Sequence, residues 1–176
     1  MSARIFLITG LMAAGKSTVA QALARRFPRS VHLRGDSFRR MIVNGQEPLG
    51  FELSEDARRQ LALRYDLSVQ AAKGYADAGY TVIYQDIILG PSLAEVVAKF
   101  DGYPLSVVVL CPDEETIYRR ESDRGKAGYK NRTEIAAFER VLREETAHIG
   151  TWVDSSSLSV AETADQILAS TQGDPT

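Results

Sequence analysis

Gly10 and Gly15 bracket four residues and are followed by Lys16 and Ser17, so residues 10–17 read Gly-Leu-Met-Ala-Ala-Gly-Lys-Ser. The pattern is G-x-x-x-x-G-K-[ST], and each fixed position has a duty toward a polyphosphate. The glycines let the chain close around phosphate oxygens. Their charge is then met by backbone N–H groups from Gly10 through Leu11, Met12, Ala13, Ala14 and Gly15, and by the start of a helix. Lys16 is placed to reach the β- and γ-phosphates, and Ser17, with Thr18 beside it, to offer its hydroxyl to Mg²⁺. The alternative is a Gly-rich turn that only closes a strand–helix unit. With glycine near 7% of residues, a chance match in a chain of this length is roughly a one-in-a-hundred event.

Two carboxylates stand where such a loop would need them. Asp36 lies in Arg34-Gly35-Asp36-Ser37-Phe38-Arg39-Arg40, just past a short apolar run. Phosphoryl transfer to an alcohol needs a carboxylate to orient the hydroxyl and take its proton. Asp36 suits that role, and it also suits capping of the next helix. Asp86 follows Ile83-Tyr84-Gln85 and precedes Ile87-Ile88-Leu89-Gly90. It could hold Mg²⁺ directly or through water, contact the acceptor, or serve as a cap or turn residue.

Arg120 and Arg124 are four apart, so they share a helix face leading into Gly125-Lys126, with Lys130 and Arg132 beyond. Arginines on a glycine hinge can close over phosphates and neutralise transition-state charge, which makes residues 120–132 a candidate lid. The competing reading is a solvated helix face partnered by Glu121 and Asp123. His32 and His148 belong to no hydrolytic pattern, and Cys111 and Trp152 read as packing residues.

The elements that must position these groups follow from periodicity. Short apolar runs at 3–9, 31–33, 80–84, 105–110 and 151–153 read as strands. Between and after them, helical spacing covers 16–27, 54–79, 91–100, 113–123, 133–148 and 160–169. Gly74 interrupts the 54–79 segment, which could be two helices. Strands alternating with helices predict a parallel sheet covered on both faces, within one domain spanning residues 1–176. Open parallel sheets bind ligands at the carboxyl edge of their strands, where the loop and both carboxylates fall.

Composition narrows the function classes. The 21 basic and 23 acidic residues leave a net charge of −2, which argues against a generic polyanion binder. A lone cysteine excludes an internal disulfide and a Cys-rich zinc site, and fits a cytoplasmic setting. Arg4 with the apolar stretches 5–8 and 11–14 resembles a short secretion signal, but Gly10 interrupts it and Gly15-Lys16 closes it. No apolar run approaches the ~20 residues that span a bilayer. The signatures of a small GTPase switch are also missing: Asp86 and Gly90 are one residue too far apart for D-x-x-G, and no Asn-Lys-x-Asp occurs.

Taken together, Gly10–Thr18, Gly35-Asp36, Gln85–Gly90, Arg120–Lys126 and Val153-Asp154-Ser155-Ser156 resemble the chloramphenicol phosphotransferase-like branch of small P-loop kinases. The resemblance runs from residue 4 to about 169, and its P-loop is its most specific part. It implies an α/β fold of three layers around a five-stranded parallel sheet, with an arginine-bearing lid. It also implies ATP with Mg²⁺ and transfer of the γ-phosphate to a hydroxyl of a small molecule, an antibiotic among the candidates. Asp36 is then the base, Arg120 and Arg124 the lid arginines, and the loop after the last strand lies near the adenine. Gln85 stands where that branch commonly has an acidic residue, which weakens the transfer of chloramphenicol itself as substrate.

Gly35–Arg39 and Arg120-x-x-x-Arg124-Gly125 are also similar to phage-type polynucleotide 5′-kinase domains. There the counterpart of Asp36 is the base, and that of Arg39 contacts a 3′-phosphate. Arg34, Arg39 and Arg40 would suit a phosphorylated acceptor, because guanidinium forks grip phosphate in a bidentate way. The slightly acidic chain and the lack of an aromatic stacking platform oppose a nucleic-acid partner. The acceptor site is expected within about 38–70 and 86–95. The 54–79 segment could cover the core or a second copy, so a monomer and a homodimer both remain open.

Overall fold

A computed structural model describes residues 3–123, 129 and 131–171. Five strands form one sheet: β1 (Ile5–Gly10), β2 (Ser30–Arg34), β3 (Thr81–Gln85), β4 (Leu105–Leu110) and β5 (Thr151–Val153). Their order is β2-β3-β1-β4-β5, with every pairing parallel. β1 therefore sits at the centre, paired from Ile5↔Val82 on one side and Ile5↔Leu105 on the other. All six of its residues are buried, as expected of a strand covered on both faces.

Side chains alternate across the sheet, and the two faces feed separate cores. Phe6 and Ile8 pack with Val19, Ala20 and Leu23 of α1 (Lys16–Ala24) and Ile167 of α7 (Val160–Thr171). Ile5 and Leu7 face the other way. They join Tyr65, Val69 and Ala72 of α3 (Glu55–Asp77) with Leu93 and Val96 of α4 (Ser92–Ala98). The architecture is the three-layer α/β arrangement expected from the sequence. α3 runs unbroken through Gly74, and its start is fixed by Ser54, whose hydroxyl accepts the Ala57 N–H.

Two expectations need correction. The helix expected over 133–148 is α6 (Arg132–Arg140) followed by a π-helical turn (Val141–Glu145), and it stops at Thr146. There the backbone turns extended, and the Thr146 hydroxyl donates to Val141 O while accepting the N–H of Gly90. That pair of bonds satisfies the last turn and anchors the loop after β3. The second correction concerns Asp36, which is the first residue of the short helix α2 (Asp36–Arg40). Gly35 holds the capping position, and no side chain caps this helix. α5 (Glu114–Asp123) follows β4, with Asp113 receiving the Thr116 N–H at 2.7 Å.

Candidate active site

β1 delivers the chain into the loop 10–17, and α1 leaves it. Gly10 adopts φ +138°, and a Cβ there would run into the Leu110 carbonyl of β4. Glycine is required because the neighbouring strand is that close. Gly15 and Ala13 also take left-handed φ values, so the loop curls with its amides inward. Lys16 is nearly buried, and its ammonium donates to Gly10 O at 2.9 Å and Leu11 O at 2.7 Å. Ser17 and Thr18 are exposed on the first turn of α1.

This loop forms one wall of a cavity of about 540 Å³. Met12 through Val19 line it, together with Asp36 and Arg40 from α2, Arg64 from α3, and Gln85-Asp86-Ile87 at the end of β3. Arg120 and Ser155 close another side together with Leu158, Val160 and Thr163. The parallel sheet thus brings the phosphate loop and both candidate carboxylates to one edge.

The two carboxylates sit in different surroundings. Asp36 Oδ2 pairs with Arg40 one helical turn on, and both side chains face water, at 34% and 73% exposure. Asp86 is fully buried and is held by the fork of Arg64, itself 8% exposed. Arg64 Nε donates to Oδ2 at 2.9 Å, and its terminal nitrogen pairs with Oδ1. Tyr84 adds a hydroxyl at 3.2 Å, and Ile87 N–H donates to Oδ1 at 2.8 Å. Burial lowers the pKa of the Arg64 guanidinium and raises that of the Tyr84 phenol.

Arg120 bridges two walls. One terminal nitrogen donates to Ala14 O at 3.3 Å, the other to Ser155 O at 2.9 Å, and desolvation pulls its pKa below the usual arginine range. Arg124 lies outside the described residues, as do residues 125–128 and Lys130 of the expected lid. At the lid's far end Tyr129 donates its hydroxyl to Met12 O at 3.4 Å. Arg132 lies over the Tyr118 ring and pairs with Glu115. Arg39 does not line the cavity; its guanidinium donates to Glu47 O and holds the loop before α3. From the stretches 38–70 and 86–95, only Arg40, Arg64, Asp86 and Ile87 reach the cavity wall.

Arg64, Leu158, Val160 and Thr163 line the cavity without any motif to mark them. Ser155 was noted only as part of the final loop, yet its buried hydroxyl has no hydrogen-bond partner among the described residues. Arg64 left a readable signal: it falls in phase with Ala57, Leu61, Ser68 and Ala72, on the face of α3 that packs inward.

Among the described residues, no group of three or more His, Cys, Asp or Glu could hold a metal by itself. Mg²⁺ asks for less, because it binds through one or two protein oxygens together with substrate phosphates and water. Exposed Ser17 with a carboxylate across the same cavity fits a nucleotide-borne Mg²⁺.

The sequence matches the AAA domain family over residues 5–147. The chain belongs to that family. No curated protein matches this AAA domain chain. Its fold is similar to that of the tunicamycin resistance protein of Deinococcus radiodurans, at TM-score 0.71 and 19% identity, covering 95% of this chain and 94% of that one. A gluconokinase from Sinorhizobium meliloti superposes at TM-score 0.68 with 19% identity, over 96% and 91% of the two chains. The APS kinase CysC of Mycobacterium tuberculosis, in complex with AMPPNP and APS, gives 0.67 and 19% over 96% of each chain. At this identity the likeness establishes the fold, from end to end. Among the described residues, no helix is long and apolar enough to cross a membrane.

Proposed function

We propose that this AAA domain protein is an ATP-dependent phosphotransferase that moves the γ-phosphate to a hydroxyl of a small molecule. The observation that carries the reading is the shared cavity: Asp36 and the loop whose sequence suits a triphosphate line one space. The kinases among its structural neighbours support it, as does the resemblance to chloramphenicol phosphotransferases, which keeps an antibiotic among the candidate acceptors.

In this reading the amides of 11–16 hold the phosphates, and Lys16 exchanges its two carbonyl partners for β- and γ-oxygens. Ser17 would hold a nucleotide-borne Mg²⁺ together with the phosphates and water, and the ion would supply neutralising charge. Ser155, Leu158 and Val160 take the nucleobase end, where the Ser155 hydroxyl is ready to bond a ring nitrogen or amino group. Asp36 leaves Arg40, orients the acceptor hydroxyl and accepts its proton as the oxygen attacks the γ-phosphorus. The bond to the β–γ bridging oxygen breaks, and ADP departs with those electrons. Arg120 stabilises the spreading charge, joined by Arg124 if the lid closes as the sequence suggests.

A neutral acceptor suits the charges present. Arg64 is matched by Asp86, and Arg39 is turned to Glu47. The test is transfer of labelled γ-phosphate to a panel containing aminoglycoside, phenicol and nucleoside antibiotics, sugars and a 5′-hydroxyl oligonucleotide. Transfer to a small alcohol that is insensitive to salt is expected. Transfer to the oligonucleotide alone, falling steeply with salt, would move the assignment to nucleic-acid ends. Equal binding of ATP and GTP with no transfer at all would remove the enzymatic reading.

A further inference from the structure

Asp86 is surrounded in a way that a metal or acceptor ligand does not require. Its two oxygens receive both nitrogens of a nearly buried arginine from α3, a phenol from β3 and the amide of Ile87. Its own N–H donates to Ile8 O of β1 at 3.1 Å. The carboxylate also lies directly against Gly35, where a Cβ would overlap it. Gly35 is the residue before Asp36, and its N–H donates to Gln85 O, next to Asp86. One side chain thus touches the ends of β2 and β3 and the middle of α3, beneath the residue proposed as base.

Charge points the same way. A buried carboxylate is costly unless paired and hydrogen-bonded, and Arg64 supplies both requirements with a planar fork. The pair leaves little net charge and few free lone pairs facing the cavity. Asp36 has the opposite character, with one partner and open access to water.

We infer that Arg64 is a positioning residue: it clamps Asp86 as a bolt under Gly35, and the bolt sets where Asp36 stands relative to the phosphate loop. Only the consequence for turnover rests on the phosphotransferase reading; the placement of Gly35 and Asp36 does not. The bolt ties together the acceptor side of the cleft, whereas Ala14 and the α1 residues Val19, Ala20 and Leu23 pack on the other face of the sheet.

Arg64→Lys tests this, because it keeps the charge and loses the bidentate fork. Hydrogen exchange should quicken at least tenfold at the Gly35 and Asp36 amides and stay unchanged over residues 14–19. Affinity for Mg²⁺ with AMPPNP should remain within threefold of the parent, while kcat for phosphoryl transfer falls at least tenfold. Asp86→Asn should leave Mn²⁺ affinity in the AMPPNP complex within threefold, read by electron paramagnetic resonance. Tyr84→Phe, which removes one donor and no charge, should repeat the exchange pattern at about threefold and serves if Arg64→Lys does not fold. Unchanged exchange at Gly35 and Asp36, or loss spread equally over residues 14–19, overturns the inference. So does a tenfold loss of Mn²⁺ affinity in Asp86→Asn, which would make Asp86 a metal ligand. A parent protein without transfer activity refutes the phosphotransferase reading and leaves the exchange result to decide the bolt.

Discussion

Asp36 and Asp86 line one cavity, and each meets an arginine, yet the two pairs obey different physics. Asp36–Arg40 lies on an exposed helix turn, where water screens the attraction and two mobile side chains resist being fixed. Asp86–Arg64 lies in the interior, where neither partner can be left alone. The first pair costs little to open, which a proton acceptor must do whenever a substrate arrives. The second is built to stay shut. Acidity of the side chain is common to both; burial decides which one is free to act.

The comparison is broken most directly by removing the free carboxylate. Asp36→Ala should lower phosphoryl transfer by roughly 10²–10⁴-fold, the usual range for a positioned general base, with AMPPNP affinity largely intact by calorimetry. Normal turnover in that variant would exclude Asp36 as the base. Asp86→Ala should act on stability instead. It strands Arg64 in the interior at a cost of about 3–5 kcal/mol, which lowers the melting temperature by roughly 6–20 °C. The double replacement Arg64→Met with Asp86→Leu should recover most of that loss in the same thermal scan. A single and a double variant that melt alike would show the pair to be uncoupled.

Acid titration sharpens the contrast once a third group is subtracted. Burial, aided by nearby Arg34, pulls the His32 pKa from 6.5 down to about 4. Between those values the unfolded chain binds more protons than the folded one, so this stability is full above pH ~6.5 and declines as pH falls toward 4. The ring is neutral when folded; Nδ1 meets the Gln21 side chain at 3.0 Å, and Nε2 is buried with no partner among the described residues. His32→Gln should flatten the melting-temperature decline across that window. The smallest effect belongs to Arg40→Ala, within about 1 kcal/mol and a few degrees, as for other exposed pairs.

Much of this was legible in the chain. The phosphate loop could be read because its chemistry is local: glycines, lysine and serine act through neighbours in sequence. Strands β4 and β5 have the boundaries that their apolar runs imply, and the others lie within one or two residues of them. Asp36 and Asp86 could be placed at the sheet edge, but their difference could not, because it depends on Arg64 and Gly35 meeting from separate elements. A mid-helix arginine in the apolar phase is the sign the sequence carries. The helical period of 133–148 likewise gave no warning of Thr146, whose stop depends on a partner at Gly90. The resemblance to polynucleotide 5′-kinases implies a phosphate contact for Arg39, and only the path of the loop to Glu47 turns it aside.

The central place of β1 has a kinetic consequence. β1 cannot be flanked on both sides until residues 81–85 and then 105–110 have been synthesised. Closing such distant pairings is slow, so the nucleotide cradle, although encoded before both flanking strands, is among the last parts to mature. A nascent chain halted before β4 should therefore ignore ATP, and ATP supplied during refolding should act late, trapping finished molecules rather than hastening their assembly.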